Sequence, residues 1–182
     1  GASAHAVALA EKAGLPTTMT LMALGAMPVN HPLLLGMLGM HAARYTNHVL
    51  EECDLLIAVG ARFDDRATGK VQAFCPHARI IHIDIDPGEL NKIKTATLGI
   101  TADARSVLEA LLPLARARRR EAWRDRVARL KREYPMEMPG VADVRTHYGL
   151  VHAVAKCLGS EAIVATDVGQ HQMWVAQAYP LE

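Results

Sequence analysis

The residues most able to do chemistry stand where apolar runs end. Gly60-Ala-Arg-Phe-Asp-Asp-Arg66 follows directly on the run Asp54–Val59. Gly60 lets a ligand come close to the backbone. Arg62 and Arg66 can each offer paired N–H donors to a phosphate, and Asp64 and Asp65 can accept from hydroxyls or orient the arginines. The same residues would also make a surface ion-pair loop, and spacing fits both readings. His82-Ile-Asp-Ile-Asp86 ends a second apolar run. Asp84 there is placed to receive the hydroxyls of a nucleotide, or to cap the turn through Pro87-Gly88. Asp103 stands at the start of an amphipathic segment, a position that favours helix capping. Gly169-Gln-His171 opens another helix, whose free N–H groups attract an anion.

These positions require strands that alternate with helices. Ala4–Ala13 reads as a helix ending at Gly14, and Leu15–Leu21 as a strand. Ala43–Glu52 is helical, Asp54–Val59 and Arg79–Asp84 have the length and branching of buried parallel strands, and Asp103 starts a helix through Leu114. The pattern predicts an α/β fold, a parallel sheet with helices on both faces, in which ligands sit beyond the carboxyl ends of the strands. No Asp, Glu, Lys or Arg lies between Lys12 and Arg44, and glycine and proline break that stretch repeatedly. It is expected to be buried strand and loop rather than a membrane helix.

After Leu114 the composition changes. Arg116–Arg120 is a basic run, and Trp123, Val127, Leu130 and Tyr134 form one apolar stripe on a charged helix. From Val144 a second α/β unit begins. Leu150, Val151, Val154 and Leu158 share a helix face, Ile163-Val-Ala-Thr166 reads as a strand, and Asp167–His171 turns into another helix. We expect residues 1–118 to be a nucleotide-binding domain, 119–143 a linker helix and loop lying across the surface, and 144–182 the opening of a further domain without the rest of its sheet. Leu181-Glu182 could belong to the natural sequence or be added.

The chain has 182 residues, 51% hydrophobic and 21% charged, with a formal net charge of +1. This balance suits a globular protein and supplies no general attraction for nucleic acid or an anionic membrane. Cys53, Cys75 and Cys157 are too few and too scattered for a disulfide framework or a zinc site, and read as reduced thiols of a cytosol-like compartment. The histidines show no zinc-type spacing, no catalytic residue is assigned, and no GxGxxG marks an ordinary NAD-type fold. A stand-alone NAD or ADP-ribose module is the competing reading, and an interaction piece docking through the Trp123 helix is a third.

Taken together, Leu21-Met-Ala-Leu-Gly25, Gly36-Met-Leu-Gly-Met-His41, Arg62-Phe-Asp-Asp-Arg66 with Thr68-Gly69, His82-Ile-Asp-Ile-Asp-Pro87 and Asp167-Val-Gly-Gln-His-Gln-Met-Trp174 resemble the large, catalytic subunit of acetolactate synthase (acetohydroxyacid synthase), in its FAD-containing biosynthetic branch. Order and spacing match from about Leu15 to Pro180. Ala42 departs from the glycine usual in that family, and Ala67 from a frequent valine. The resemblance implies a Rossmann-like central FAD-binding domain followed by the start of the thiamine-diphosphate-binding domain. It implies that Thr20, Leu21, Met22, Gly39, Met40 and His41 line the flavin. By the same resemblance Gly60, Arg62, Asp64 and Arg66 hold the diphosphate and ribityl stretch, with Asp84, Ile85 and Asp103 near the adenosine half. Val168, Gly169, Gln170 and His171 would meet thiamine diphosphate. The implied reaction condenses two 2-oxo acids, pyruvate with pyruvate or 2-oxobutanoate, with loss of CO2, in the biosynthesis of valine and isoleucine. The activating glutamate and the Mg2+-binding segment would lie outside these residues, so this fragment alone is expected to be inactive. The implied setting is a cytoplasmic homo-oligomer of large subunits with a regulatory small subunit, small 2-oxo acid substrates, and neither nucleic acid nor membrane as partner.

Overall fold

The computed structural model describes residues 1–159 and 162–181. Glu182, the last residue of the expected second unit and half of the Leu181-Glu182 pair, lies outside them. Helix α1 (Ser3–Ala13) leads into strand β1 (Thr17–Met19), a short 3-10 turn at Leu21–Ala23 and strand β2 (Leu34–Met37). Helix α2 (Arg44–Glu52) carries the chain to β3 (Leu55–Val59), followed by the one-turn α3 (Asp65–Thr68) and β4 (Arg79–Asp84). A 3-10 turn at Pro87–Glu89, strand β5 (Leu98–Thr101) and α4 (Ala104–Leu114) come next.

Every strand pair is parallel, as the alternation of apolar runs with helices predicts. The strands fall into two sheets, β1-β2 and β3-β4-β5. The expected Leu15–Leu21 strand is cut short at Met19, because the chain turns at Thr20 into the 3-10 segment. Helix α2 spans the two sheets. Its Leu50 packs with Ala58 of β3 and Ile80 of β4, while its Val49 packs with Leu35 of β2. Ile80 points toward α2 and Ile83 alternates to the other face of β4; α4 also packs against β4. The uncharged Met/Gly stretch supplies a third cluster, in which Met19, Met27 and Leu33 pack with Ala10 of α1.

Helix α5 (Glu121–Glu133) lies against α2. The apolar stripe explains why: Val127 and Leu130 are buried among Leu35 and Val49, with Trp123 and Tyr134 at the margin. Burying two such side chains is worth roughly 1.5–3 kcal/mol each. Arg126 pairs with Glu52 through two guanidinium nitrogens, Nε at 2.8 Å and Nη2, and Lys131 donates to the Leu34 carbonyl at 2.8 Å.

Helices α6 (His147–Leu158) and α7 (Gln170–Ala178) pack together. His147 stacks on Trp174 with ring centroids 4.2 Å apart. One expectation fails in this part. Residues Ile163–Thr166 form no strand; among the described residues none pairs with them, and an extended segment without a ladder partner is only coil. The Leu150, Val154 and Leu158 face of α6 is exposed, whereas Tyr148 and Ala155 are buried. No helix of the described residues is long and apolar enough to cross a membrane.

Candidate functional site

Within each sheet the parallel strands place their carboxyl ends on one edge, and the residues singled out between Thr20 and Asp103 lie beyond those ends. Gly60 follows β3 with φ +62° and has its N–H bonded to the Ile83 carbonyl of β4 at 2.8 Å. A Cβ built on Gly60 would meet nothing within 4 Å, so the space above this backbone is open. On the next strand, the Asp84 carbonyl accepts from Ala102 N–H at 3.0 Å, which sets Asp103 beside Asp84. Gly60, Asp84-Ile85 and Asp103 thus stand at the ends of three adjacent strands.

The Arg62–Arg66 loop is anchored from below. Phe63 is buried, with φ +56°, and its ring meets those of Phe74 and His82 edge-on at 6.0 and 4.9 Å. With Phe63 turned inward, Arg62 projects outward, 71% exposed, with Asp64 Oδ2 3.9 Å away. Asp64 caps α3: its Oδ1 accepts Ala67 N–H at 3.0 Å and its carbonyl accepts the Thr68 hydroxyl. Arg66 is exposed on α3.

The flavin-type residues on β1 and β2 sit side by side. Leu38 N–H donates to the Met19 carbonyl at 2.9 Å, so Thr20 and Gly39 leave the two strands as neighbours. The Gly39–His41 loop reaches across to α3. Met40 N–H donates to the Arg66 carbonyl at 3.0 Å, and a Cβ on Gly39 would lie 2.2 Å from that same oxygen. Large apolar side chains beyond the strands of both sheets are left in the open: Met22 at 92%, Met40 at 61% and Ile85 at 72% exposure. Leu21 lies between Thr20 and Met22 in the 3-10 turn, and His41 is exposed beyond Met40.

The carboxylates share a pattern. Each uses one oxygen to fix its own turn: Asp64 as above, Asp84 through Asp86 N–H at 3.0 Å, Asp103 through Ser106 N–H at 3.0 Å. The Ser106 N–H, with help from its hydroxyl and from the Arg105 side, holds the Asp103 carboxyl below the usual carboxylate range. Both meanings considered for Asp103 thus bear on one residue, and capping is the one its hydrogen bonds display.

Val168, Gly169, Gln170 and His171 form an exposed turn into α7, and Gly169 offers no side-chain cap to the free N–H groups there. The turn does not join the strand-end residues through any hydrogen bond among the described residues. It is the far end of α7 that does: Gln177 Nε2 donates to the His41 carbonyl at 3.0 Å. Sequence reasoning passed over Gln177, and also over the buried left-handed Phe63. Nothing in the local sequence marks a glutamine whose partner is a backbone carbonyl so far along the chain.

Comparison with known proteins bears on this arrangement. The family described as "Thiamine pyrophosphate enzyme, central domain" matches residues 1–111. The acetolactate synthase isozyme 1 large subunit of Escherichia coli (strain K12) is 61% identical over 173 residues, which is 95% of this chain and 31% of that protein. The acetolactate synthase large subunit of Parasynechococcus marenigrum (strain WH8102) is 45% identical, covering 93% of this chain and 28% of that protein. Acetolactate synthase 1, chloroplastic, of Oryza sativa subsp. japonica is 42% identical, covering 93% and 27%. The chain therefore spans about 30% of the length of the curated relatives it matches.

Proposed function

Because the chain belongs to the central-domain family of thiamine pyrophosphate enzymes, we propose that it is the FAD-binding part of an acetolactate synthase large subunit, joined to the first elements of the thiamine-diphosphate-binding domain. The division proposed is 1–118, 119–143 and 144–182. The parent enzyme condenses pyruvate with pyruvate or 2-oxobutanoate and releases CO2, in valine and isoleucine biosynthesis, as a cytoplasmic oligomer of large subunits with a small regulatory subunit. Relatives that bear the name of that enzyme match nearly the whole chain. They give no support to a separate NAD or ADP-ribose module.

The observation that carries the FAD reading is the mixture of side chains beyond the strand ends of the two sheets. Met22, Met40 and Ile85 lie exposed, as do Arg62 and Arg66, and the Arg66 guanidinium stands 4.0 Å from the Met40 sulfur. Apolar side chains of that size in the open suit a flat ring, and guanidinium forks suit a diphosphate. Thr20, Leu21, Met22, Gly39, Met40 and His41 would bed the ring. Gly60, with its open face, Arg62, Asp64 and Arg66 would hold the diphosphate and ribityl stretch. Asp84, Ile85 and Asp103 would take the adenosine half. FAD supplies a flat, anionic scaffold and no net redox step in the proposed reaction.

Val168, Gly169, Gln170 and His171 would lie against thiamine diphosphate, which when bound supplies the electron sink for decarboxylation. Their part is to present free N–H groups and a helix start to its diphosphate. Mg2+ would be held by residues other than those assigned here.

FAD titration of the purified protein, followed by quenching of flavin fluorescence and by melting temperature, tests the reading. Saturable binding with a rise in melting temperature is expected, since a ligand held by the native state alone stabilises it. Absence of both would sink it.

A further inference from the structure

We propose that Gln177 is a positioning residue that holds the Gly39–His41 loop from the side opposite Arg66 and ties it to the turn that opens α7.

The loop has two attachments to distant parts of the chain. On one side, Met40 N–H donates to the Arg66 carbonyl at 3.0 Å. On the other, the His41 carbonyl accepts from Gln177 Nε2 at 3.0 Å. Adjacent residues thus carry a donor held by the Arg62–Arg66 loop and an acceptor held by α7. Ala42 N–H closes the turn back onto the Gly39 carbonyl at 3.1 Å.

The Gln177 amide has one orientation that works. A backbone carbonyl only accepts, so the NH2 group must face His41. That leaves Oε1, which accepts the Tyr148 hydroxyl at 2.8 Å. Tyr148 is buried, 9% exposed, against α7. The α6–α7 pair therefore presents a fixed donor to a loop 136 residues earlier in the chain.

Gln177 stands on the same nine-residue helix as Gln170 and His171. At 1.5 Å per residue, about 10 Å of rigid helix separates Gln170 from Gln177. The turn assigned to thiamine diphosphate and the loop assigned to the flavin are consequently the two ends of one rod. A shift of either end is felt at the other without any side chain spanning the distance. The functional half of this inference rests on the flavin reading of Gly39–His41; the mechanical half does not.

The test uses Gln177→Leu, which keeps a branched side chain one carbon shorter and removes both hydrogen bonds, and Tyr148→Phe, which leaves Gln177 in place but frees its amide. Backbone hydrogen exchange is followed at Met40 and Ala42, with Ile83 of β4 as the internal reference, and FAD affinity is measured on the same samples. Gln177→Leu should speed exchange at Met40 and Ala42 about threefold to tenfold, the worth of one net hydrogen bond, with Ile83 unchanged. FAD affinity should fall by a similar factor. Tyr148→Phe should act in the same direction and more weakly, and the double variant should equal Gln177→Leu, because the two act through one amide. If the wild type takes up no FAD but the exchange pattern is as stated, the clamp is supported and the flavin reading is lost. If exchange at Met40 and Ala42 is the same in Gln177→Leu and wild type, or if the two substitutions add, the inference is overturned, whatever flavin does.

Discussion

Two glycines on the candidate edge should fail in opposite ways when a methyl group is added. Gly39 has φ +93° and Gly60 has φ +62°, so alanine at either adopts a left-handed backbone at a cost of about 1–2 kcal/mol. Their surroundings differ. At Gly39 the new Cβ lies 2.2 Å from the Arg66 carbonyl oxygen and 3.0 Å from the Ala67 Cα; at Gly60 it meets nothing within 4 Å. Relief at Gly39 means moving the loop away from α3, and that breaks the Met40 to Arg66 hydrogen bond, worth a further ~1 kcal/mol or more. Gly39→Ala should therefore be less stable than Gly60→Ala by at least about 1 kcal/mol, or roughly 2–4 °C in melting temperature for a chain of this size. Gly60→Ala should fold nearly as well as wild type and lose FAD affinity by tenfold or more, since its methyl fills the space left for the ligand. Thermal melts and flavin titrations on both variants give the comparison. If Gly39→Ala is as stable as Gly60→Ala, the close approach of the two loops is not real. If Gly60→Ala binds FAD like wild type, no ligand lies over β3.

Further outcomes follow from the same geometry. Arg62, exposed and 3.9 Å from Asp64 Oδ2, should hold FAD through two charge-assisted hydrogen bonds. Arg62→Ala should weaken FAD about tenfold to a hundredfold and Arg62→Lys less, while equal affinity in both and in wild type would make it a surface ion-pair residue. The Asp103 carboxyl is depressed in the folded chain by Ser106. Its contribution is present above about pH 4, the unfolded carboxylate value, and is lost as pH falls through the lower folded value. Asp103→Asn keeps a cap acceptor that does not titrate, so its melting temperature should fall less than that of wild type between about pH 5 and pH 2. Of the thiols, Cys157 is exposed, while Cys75 is 1% exposed and pushed up in pKa by its Cys53 neighbour and by burial. A maleimide should label Cys157 first and Cys75 last in mass spectrometry; the reverse order would contradict the packing of Cys75.

Much of the first body was legible because its strands are branched apolar runs with an abrupt end. Arg79–Asp84 is found with the bounds expected, and Asp103 caps α4 as its position suggested. β5 escaped notice, since Leu98–Thr101 is short, contains Gly99 and lies mostly exposed at the sheet edge, so that it reads like a turn. The opposite error occurred at Ile163–Thr166. An apolar branched run is only a strand when another strand lies alongside, and neighbours cannot be read from four residues. On α6 the repeat of leucine and valine was genuine, but the helix has a second stripe, and Tyr148 with Ala155 is the one that packs on α7. At the candidate site, residue types at strand ends could be seen, whereas the contacts that shape them could not. The left-handed Phe63, the Arg66 carbonyl over Gly39 and the Gln177 amide on His41 all depend on chain segments meeting from far apart.

The parallel ladder of β3, β4 and β5 also acts as a ruler. Leu55–Val59 runs beside Arg79–Ile83 through five consecutive partners without a shift, and β5 continues on the other side. Neighbouring strands are about 4.8 Å apart, so the turns after β3 and β5 stand about 10 Å from each other, with the turn after β4 midway. A molecule that touches all three must be long and narrow. It must also lie across the strands in the order in which they were made, Gly60 first, Ile85 next and Asp103 last. Position along such a ligand thus maps onto position along the chain. An insertion in one turn would alter the fit at one segment of the ligand and leave the other two segments as they were.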